Sequence, residues 1–116
     1  MSDHSWIKEF PGAITVCDER GKILAMNEQA FETFAEFGGA ALVGRNVLDC
    51  HPEPARTKLD GMLRAGRTNV YTILKKGKKK LVYQSPWYEN GQYAGFVEMV
   101  LVIPEAMPHF DRDARA

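Results

Sequence analysis

The chain has 116 residues, 45% of them hydrophobic, which is enough for one domain whose apolar core needs no disulfide or metal. Its 15 basic and 15 acidic residues balance, so no net charge draws the chain to nucleic acid or to an acidic membrane surface. No segment approaches the roughly 20 apolar residues of a membrane span, and no signal peptide is recognisable. We therefore expect a cytoplasmic protein with no membrane partner, whose Cys17 and Cys50 remain free thiols.

Residues 3–10 predict a short amphipathic helix that leads into the domain, and Pro11-Gly12 ends it. The side chains of Trp6, Ile7 and Phe10 share one face of this helix. So short a helix offers these apolar groups little core of its own, and exposed apolar patches commonly mark interaction surfaces. We expect the three residues to form a homodimer interface together with the outer face of a sheet.

Two strands and a longer helix follow. The strand-like runs are Ala13–Cys17 and Lys22–Met26, joined by a polar turn that contains Gly. Asn27 is a suitable N-cap for a helix from Glu28 to about Phe37, and Gly38-Gly39 should stop it.

Short helical turns precede the main helix of the middle segment. Pro52 and Pro54 are tolerated only in the first turn of a helix. They therefore predict a helix that begins near residues 49–52 and continues to Ala65, with Gly66 closing it.

Three consecutive β-type runs end the chain, rich in Val, Ile, Tyr, Phe and Thr, at residues 68–75, 79–88 and 93–103. The order of elements predicts an α+β fold, a five-stranded antiparallel sheet with helices packed on one face. Such a half-open cup suits a small molecule. We expect a single domain over the whole chain, with a core at about 5–104 and a flexible tail at 105–116.

This ordered set resembles the PAS family of sensory domains. The resemblance rests on FPGAITVCDERGKILAMNEQAFETF at residues 10–34, on LVGRNVLDCHPE at residues 42–53, and on the closing series of three strands. It implies a sensor or interaction module, often dimeric, with a cavity between sheet and helices that holds haem, flavin, an organic acid, a lipid or nothing. The chain departs from the family at the end of its last strand, which reads Leu101-Val102-Ile103-Pro104 in place of an Asp-Ile-Thr ending.

The cavity implied by the resemblance should be mostly apolar. Its candidate lining residues come from the helices, their junction and the strands: Phe31, Phe34, Cys50, His51, Leu59, Met62, Tyr71, Tyr83, Glu98 and Met99. Among them, Glu98 is a carboxylate surrounded by apolar neighbours, an expensive arrangement unless the charge is compensated. It either pairs with a neighbouring Lys or Tyr, or binds a polar group of the ligand.

Two cofactor chemistries known in PAS domains can be tested by position. In flavin-binding domains that form a photoadduct, the reactive Cys corresponds to Val47, which has no nucleophile, so this chemistry is not expected. In haem-binding oxygen sensors, the axial His corresponds to Leu59, so a haem or metal sensor would have to use His51. Because Cys50 and His51 are adjacent, they cannot easily ligate one ion, and we favour structural roles for both.

Neither nucleic-acid binding nor catalysis has a clear signal. Five lysines lie between Lys75 and Lys80 at one hairpin, but without interleaved aromatic residues they are typical of a solvated tip. The sequence has no Gly-rich phosphate loop, no HExxH motif and no paired-carboxylate spacing. We interpret the chain as a non-enzymatic sensory module that binds a small molecule or a protein partner and regulates signal transduction or transcription. The alternatives are a haem or metal sensor using His51, and a small cup-shaped enzyme that acts on an apolar acid with Glu98 or His51 as base.

Overall fold

The computed structural model describes residues 5–113, apart from the side chain of Cys50. Both ends of the chain, including the first two residues of the predicted lead-in helix, lie outside the described residues. The described chain forms one antiparallel sheet in the order β2-β1-β5-β4-β3, and its helices leave a cavity against one face. The predicted α+β fold is confirmed. The strands are β1 Ala13–Asp18, β2 Ile23–Met26, β3 Asn69–Lys75, β4 Lys78–Glu89 and β5 Gln92–Val102.

Two tight turns set the register of the last three strands. Lys76-Gly77 joins β3 to β4 with φ of 53° and 75°, and Asn90-Gly91 joins β4 to β5 with φ of 53° and 78°. Two consecutive positive φ values match the right-handed twist of paired strands, and Gly and Asn adopt them most readily. The long β4–β5 pairing runs from Lys80 opposite Val102 to Glu89 opposite Gln92.

Within residues 5–113, three helices and three 3₁₀ turns complete the fold. The helices are α1 Ser5–Lys8, α2 Glu28–Thr33 and α3 Ala55–Ala65, and the turns are Ala35–Phe37, Gly39–Leu42 and Val47–Cys50.

The first long helix is shorter than predicted. α2 ends at Thr33 and the chain tightens into a 3₁₀ turn, in which the Phe37 N–H bonds to the Phe34 carbonyl over 3.0 Å. Such tightening is common at helix C-termini. The Thr33 hydroxyl also donates to the Gln29 carbonyl over 2.8 Å, and a hydroxyl bond of this kind bends helices. The predicted stop lies in the right place, since Gly38 has φ of 120°.

The prediction that the second helix begins near residues 49–52 is wrong, because α3 begins at Ala55. A residue before proline is disfavoured in the helical region. His51, which precedes Pro52, is accordingly extended at φ −118° and ψ 120°, and Glu53 precedes Pro54. The helix therefore forms only after the second proline. Its predicted end is confirmed at Ala65, with Gly66 in the left-handed region.

Asn27 connects three elements. It is 3% exposed, and its Oδ1 accepts from the backbone N–H groups of Ile14 at 2.9 Å and Ala30 at 3.0 Å. Its Nδ2 donates to the carbonyls of Gly12 at 2.8 Å and Ile7 at 3.0 Å. One side chain thus caps α2 and holds α1 against the start of β1.

The last described segment, after β5, contains no helix up to residue 113. The Ile103 N–H still bonds to the Lys79 carbonyl over 3.0 Å, and the Lys79 ammonium donates to the Glu105 carbonyl over 3.2 Å. Across residues 5–113, the helices are too short and too polar for any of them to cross a membrane.

Candidate functional site

A cavity of about 460 Å³ lies between the sheet and the helices. The helical side contributes the residues Thr33, Phe34, Phe37, Leu42, Val47, His51, Pro52, Leu59, Met62 and Leu63. The sheet contributes mainly alternate residues of its strands, among them Thr15, Cys17, Tyr71, Ile73, Lys75, Lys80, Val82, Gln84, Phe96, Glu98 and Val100. Alternate residues share one face of a strand, so the cavity rests on a single face of the sheet, here called the inner face.

One polar row crosses the inner face. The register places Thr15 opposite Glu98, Glu98 opposite Gln84, and Gln84 opposite Asn69. Gln84 Nε2 donates to Glu98 Oε2 over 2.7 Å, and Asn69 Nδ2 donates to Gln84 Oε1 over 3.0 Å. The expectation of a Lys or Tyr partner for Glu98 is corrected: its partner is the amide of Gln84, which the register places directly across from it.

Tyr71 adds a phenol to this group. Burial, followed by the negative charge of Glu98, raises the pKa of Tyr71 above its usual value, although a hydrogen bond to Gln84 opposes the rise. The phenol is therefore neutral across the physiological range and can donate a hydrogen bond.

Cys17 belongs to the apolar wall and not to the reactive chemistry of the site. It is 5% exposed and packs with Leu63 and Phe96. Burial, with smaller contributions from Asp18 and Glu98, raises the pKa of the Cys17 thiol. A raised pKa keeps the thiol protonated at neutral pH, and the protonated form is a poor nucleophile.

His51 lies at the edge of the cavity and is exposed. Its Nδ1 is 2.7 Å from the Val47 carbonyl oxygen. A carbonyl only accepts, so Nδ1 carries the hydrogen in this arrangement, and the bond fixes the ring at the end of the short turn before α3.

The predicted site residues are only partly brought together. Those that line the cavity are Phe34, His51, Leu59, Met62, Tyr71 and Glu98. Phe31, Tyr83 and Met99 do not line it. Tyr83 and Met99 are paired with each other in the register and alternate with lining residues, so they lie on the opposite face. The side chain of Cys50 is outside the described part of the chain.

Sequence reasoning missed several lining residues, notably Gln84, Val82, Lys75 and Lys80. The alternation of side chains along each strand could have identified these residues. Once Glu98 faces inward, its cross-strand partner Gln84 does too, and so do the residues two and four positions earlier on β4.

The outer face of the sheet is apolar and partly bare. A row of cross-strand partners runs Ile14, Met99, Tyr83 and Val70. Tyr83 and Val70 are 41% and 49% exposed. The face is incompletely covered by the described residues.

The three predicted interface residues lie in or just after α1. Trp6 is 63% exposed, whereas Ile7 and Phe10 are half-buried. The Trp6 and Phe10 rings meet edge to face with centroids 6.3 Å apart.

Metal ligands are not concentrated anywhere in residues 5–113: no group of three or more His, Cys, Asp or Glu side chains could hold an ion there.

The sequence matches no protein-family model and no curated protein. Several solved structures with the same fold are PAS domains. The PAS domain of BvgS from Bordetella pertussis is 18% identical with a TM-score of 0.66, and the match covers 85% of this chain and 82% of that one. The PAS domain of an HTR-like protein from Haloarcula marismortui is 17% identical with a TM-score of 0.59, covering 86% and 88%. The Aer2 receptor from Vibrio cholerae, a dual PAS-haem oxygen sensor, is 19% identical with a TM-score of 0.56, covering 80% and 95%.

Proposed function

We propose that this chain, which has a PAS fold, is a sensory module whose cavity binds a small organic molecule. The observation that carries the proposal is the cavity of about 460 Å³, apolar over most of its wall and polar at two places on the sheet, around Gln84 and Glu98 and around Lys75 and Lys80. Small-molecule sites are typically concave, largely apolar, and supplied with a few polar groups that orient the ligand.

The signal would leave through the sheet. β4 and β5 carry Gln84 and Glu98 on the inner face, and they carry Tyr83 and Met99 on the outer face. A ligand that displaces Gln84 and Glu98 therefore also moves the apolar outer face of the same two strands. We propose that this surface and α1 form a homodimer or bind a signalling protein in the cytoplasm, and that occupancy of the cavity regulates signal transduction or transcription through that contact.

A sensory role fits the polar groups better than catalysis does. Glu98 accepts a hydrogen bond from Gln84, and His51 is held by Val47 at the exposed edge. The nearby Cys17 thiol, whose pKa is raised by its burial and by the charges of Asp18 and Glu98, stays protonated at neutral pH and is a poor nucleophile. We therefore assign no catalytic residue.

The test is occupancy of the cavity by a neutral probe. Calorimetric titration with decanol should show saturable binding to the wild-type protein. Leu59→Trp places a larger side chain in the cavity, and we expect it to abolish binding while leaving the circular dichroism spectrum unchanged. Decanol binding that is equal in both proteins, or absent from both, contradicts the proposal.

A second variant separates burial from coordination. His51→Ala should weaken binding by about 1 kcal/mol at most, the contribution of one hydrogen bond. The purified protein should be colourless. A visible absorption band that His51→Ala removes would instead identify a haem or metal sensor, like the Aer2 receptor, with His51 as ligand.

A further inference from the structure

We infer that the ligand is an elongated amphipathic acid, held with its anionic end between Lys75 and Lys80 and with a hydrogen-bond donor, a hydroxyl or ammonium group, at Glu98. The inference deepens the proposed function and rests on it. Three features of the cavity carry it: two cations at the edge, an incompletely paired carboxylate on the wall, and an apolar stretch between them.

The cations are neighbours on the inner face. Ile73 is opposite Lys80, and Lys75 is two residues further along β3. Diagonal cross-strand neighbours of this kind are about 7–8 Å apart. Both lysines line the cavity, and neither forms an ion pair with any residue in 5–113. Two like charges at this separation repel, and an anion placed between them relieves the repulsion.

The neighbouring lysines provide a contrast. The Lys79 ammonium donates to the Glu105 carbonyl, and Lys76 lies in the hairpin turn. Neither lines the cavity, and nor does Lys78. Lys78 lies directly opposite Lys75 at the end of the hairpin, beyond the cavity lining. Of the five lysines in this hairpin, Lys75 and Lys80 are the two that line the cavity.

At Glu98, by contrast, the cavity requires a hydrogen-bond donor from the ligand and not an anion. Glu98 is half-buried. A carboxylate has two oxygens and about four acceptor positions. Among residues 5–113, Gln84 donates to Oε2, and Glu98 forms no ion pair. Removing a charge from water costs free energy unless hydrogen bonds replace the hydration. A hydroxyl or ammonium group of the ligand supplies such a bond, whereas a second carboxylate there would be repelled.

The two ends are separated by a fixed length of strand. Lys80 and Gln84 are four residues apart on β4, which corresponds to about 13 Å. The wall between them is mainly apolar, formed by Val82 with Val100 opposite it on β5 and the ring of Tyr71 opposite it on β3. A saturated chain buries this surface, and its length matches the separation only when it is medium-long, like that of decanoate.

The experiment compares three probes of equal chain length by calorimetry: decanol, decanoate and ω-hydroxydecanoate. We expect decanoate to bind about tenfold more tightly than decanol, because charge-assisted hydrogen bonds are worth more than neutral ones. We expect ω-hydroxydecanoate to bind more tightly again, by several-fold.

Paired variants locate the anionic end. The double variant K75Q/K80Q should lose the preference for decanoate over decanol. The control K76Q/K79Q removes the same charge from the same hairpin, at positions that do not line the cavity, and it should keep the preference. If both variants weaken decanoate binding equally, the effect is only the net charge of the hairpin and the inference is wrong.

Variants at Glu98 test where the hydroxyl end of the ligand binds. Glu98→Met should bind ω-hydroxydecanoate no better than decanoate. Because this change also leaves Gln84 without its acceptor, Glu98→Gln serves as the second variant. It should retain the preference for ω-hydroxydecanoate over decanoate, since its amide oxygen still accepts a hydrogen bond.

The outcomes distinguish the two proposals. If decanol and decanoate bind the wild type equally, the cavity is a ligand site but the inference of an acid is wrong. If no probe binds, the proposed function fails as well. Saturable binding in the predicted order, with both pairs of variants behaving as stated, supports both.

Discussion

At the scale of single residues, Asn27 contributes more than its predicted role as a helix cap. The cap itself is present, in the bond from the Ala30 N–H to Oδ1. The remaining bonds join backbone groups of Ile7, Gly12 and Ile14 to the same side chain. These partners lie 13 to 20 residues away in sequence, so no local pattern could have predicted them.

Asn27→Ala should therefore destabilise the protein by about 2–4 kcal/mol. Loss of an N-cap costs about 1 kcal/mol, and each buried backbone group left without a partner adds about 1–3 kcal/mol. Urea unfolding followed by circular dichroism measures the difference. Gln29→Ala, a truncation of another amide in α2, is the control and should change stability by less than about 0.5 kcal/mol. Equal effects of the two substitutions would contradict the role assigned to Asn27.

Glu98 shows what residue-level reasoning on the sequence could and could not predict. Its apolar neighbours indicated that the carboxylate needs a partner, which is confirmed by Gln84. The identity of that partner depends on the β4–β5 register, which a Lys or Tyr nearby in sequence does not reveal. The candidate site also contained both Glu98 and Met99, although adjacent strand residues point to opposite faces.

At the scale of elements, local signals predicted the strands well. The Asn90-Gly91 turn and the alternating β-branched residues determine a hairpin without reference to the rest of the chain. The start of α3 was missed because the prolines were interpreted as first-turn residues, whereas each one also restricts the residue before it.

Gly95 and Gly61 differ in how closely other elements pack against them. In β5, Gly95 lies opposite Trp87 and has φ of 150°. A Cβ there would meet the Cys17 carbonyl and come within 2.7 Å of the Asp18 Cα. The same carbonyl accepts the Trp87 indole N–H over 2.9 Å. Gly61, in the interior of α3, is different, because a Cβ added there would point into open space, with no atom of another described element within 4 Å.

Gly95→Ala and Gly61→Ala should consequently act in opposite directions. Gly95→Ala is expected to destabilise by about 2 kcal/mol or more, because backbone atoms of β1 must move. Gly61→Ala is expected to stabilise by about 0.5–1 kcal/mol, since alanine restricts the unfolded chain and favours the helix. Thermal unfolding of both variants beside the wild type provides the comparison. A neutral Gly95→Ala would show that β1 and β5 are not packed as described.

At the scale of the whole molecule, the sheet separates two surfaces. The inner face supports the cavity, and the outer face carries the exposed apolar row that includes Val70 and Tyr83. The order of elements was sufficient to predict the sheet and that the helices pack on one of its faces. It could not predict which residues of each strand face the cavity, because β4 carries apolar groups at both parities.

The outer face and the exposed Trp6 together lead us to expect two chains in the native assembly, and the inner face leads us to expect a ligand. Trp6→Glu introduces a charge on α1 outside the cavity. It should weaken the association of chains because burying an unpaired charge is costly, and it should leave ligand binding unchanged. Light scattering at high micromolar concentration would measure the association, and a wild-type protein that is monomeric there would contradict the expected dimer.

Native mass spectrometry of freshly purified protein tests the central claim most directly, since it reports ligand mass and subunit number in one spectrum. We predict pairs of chains whose mass exceeds that of the polypeptides by one small organic molecule per chain, with the excess absent from Leu59→Trp. A wild-type spectrum at the bare polypeptide mass that takes up no added decanoate would contradict the account.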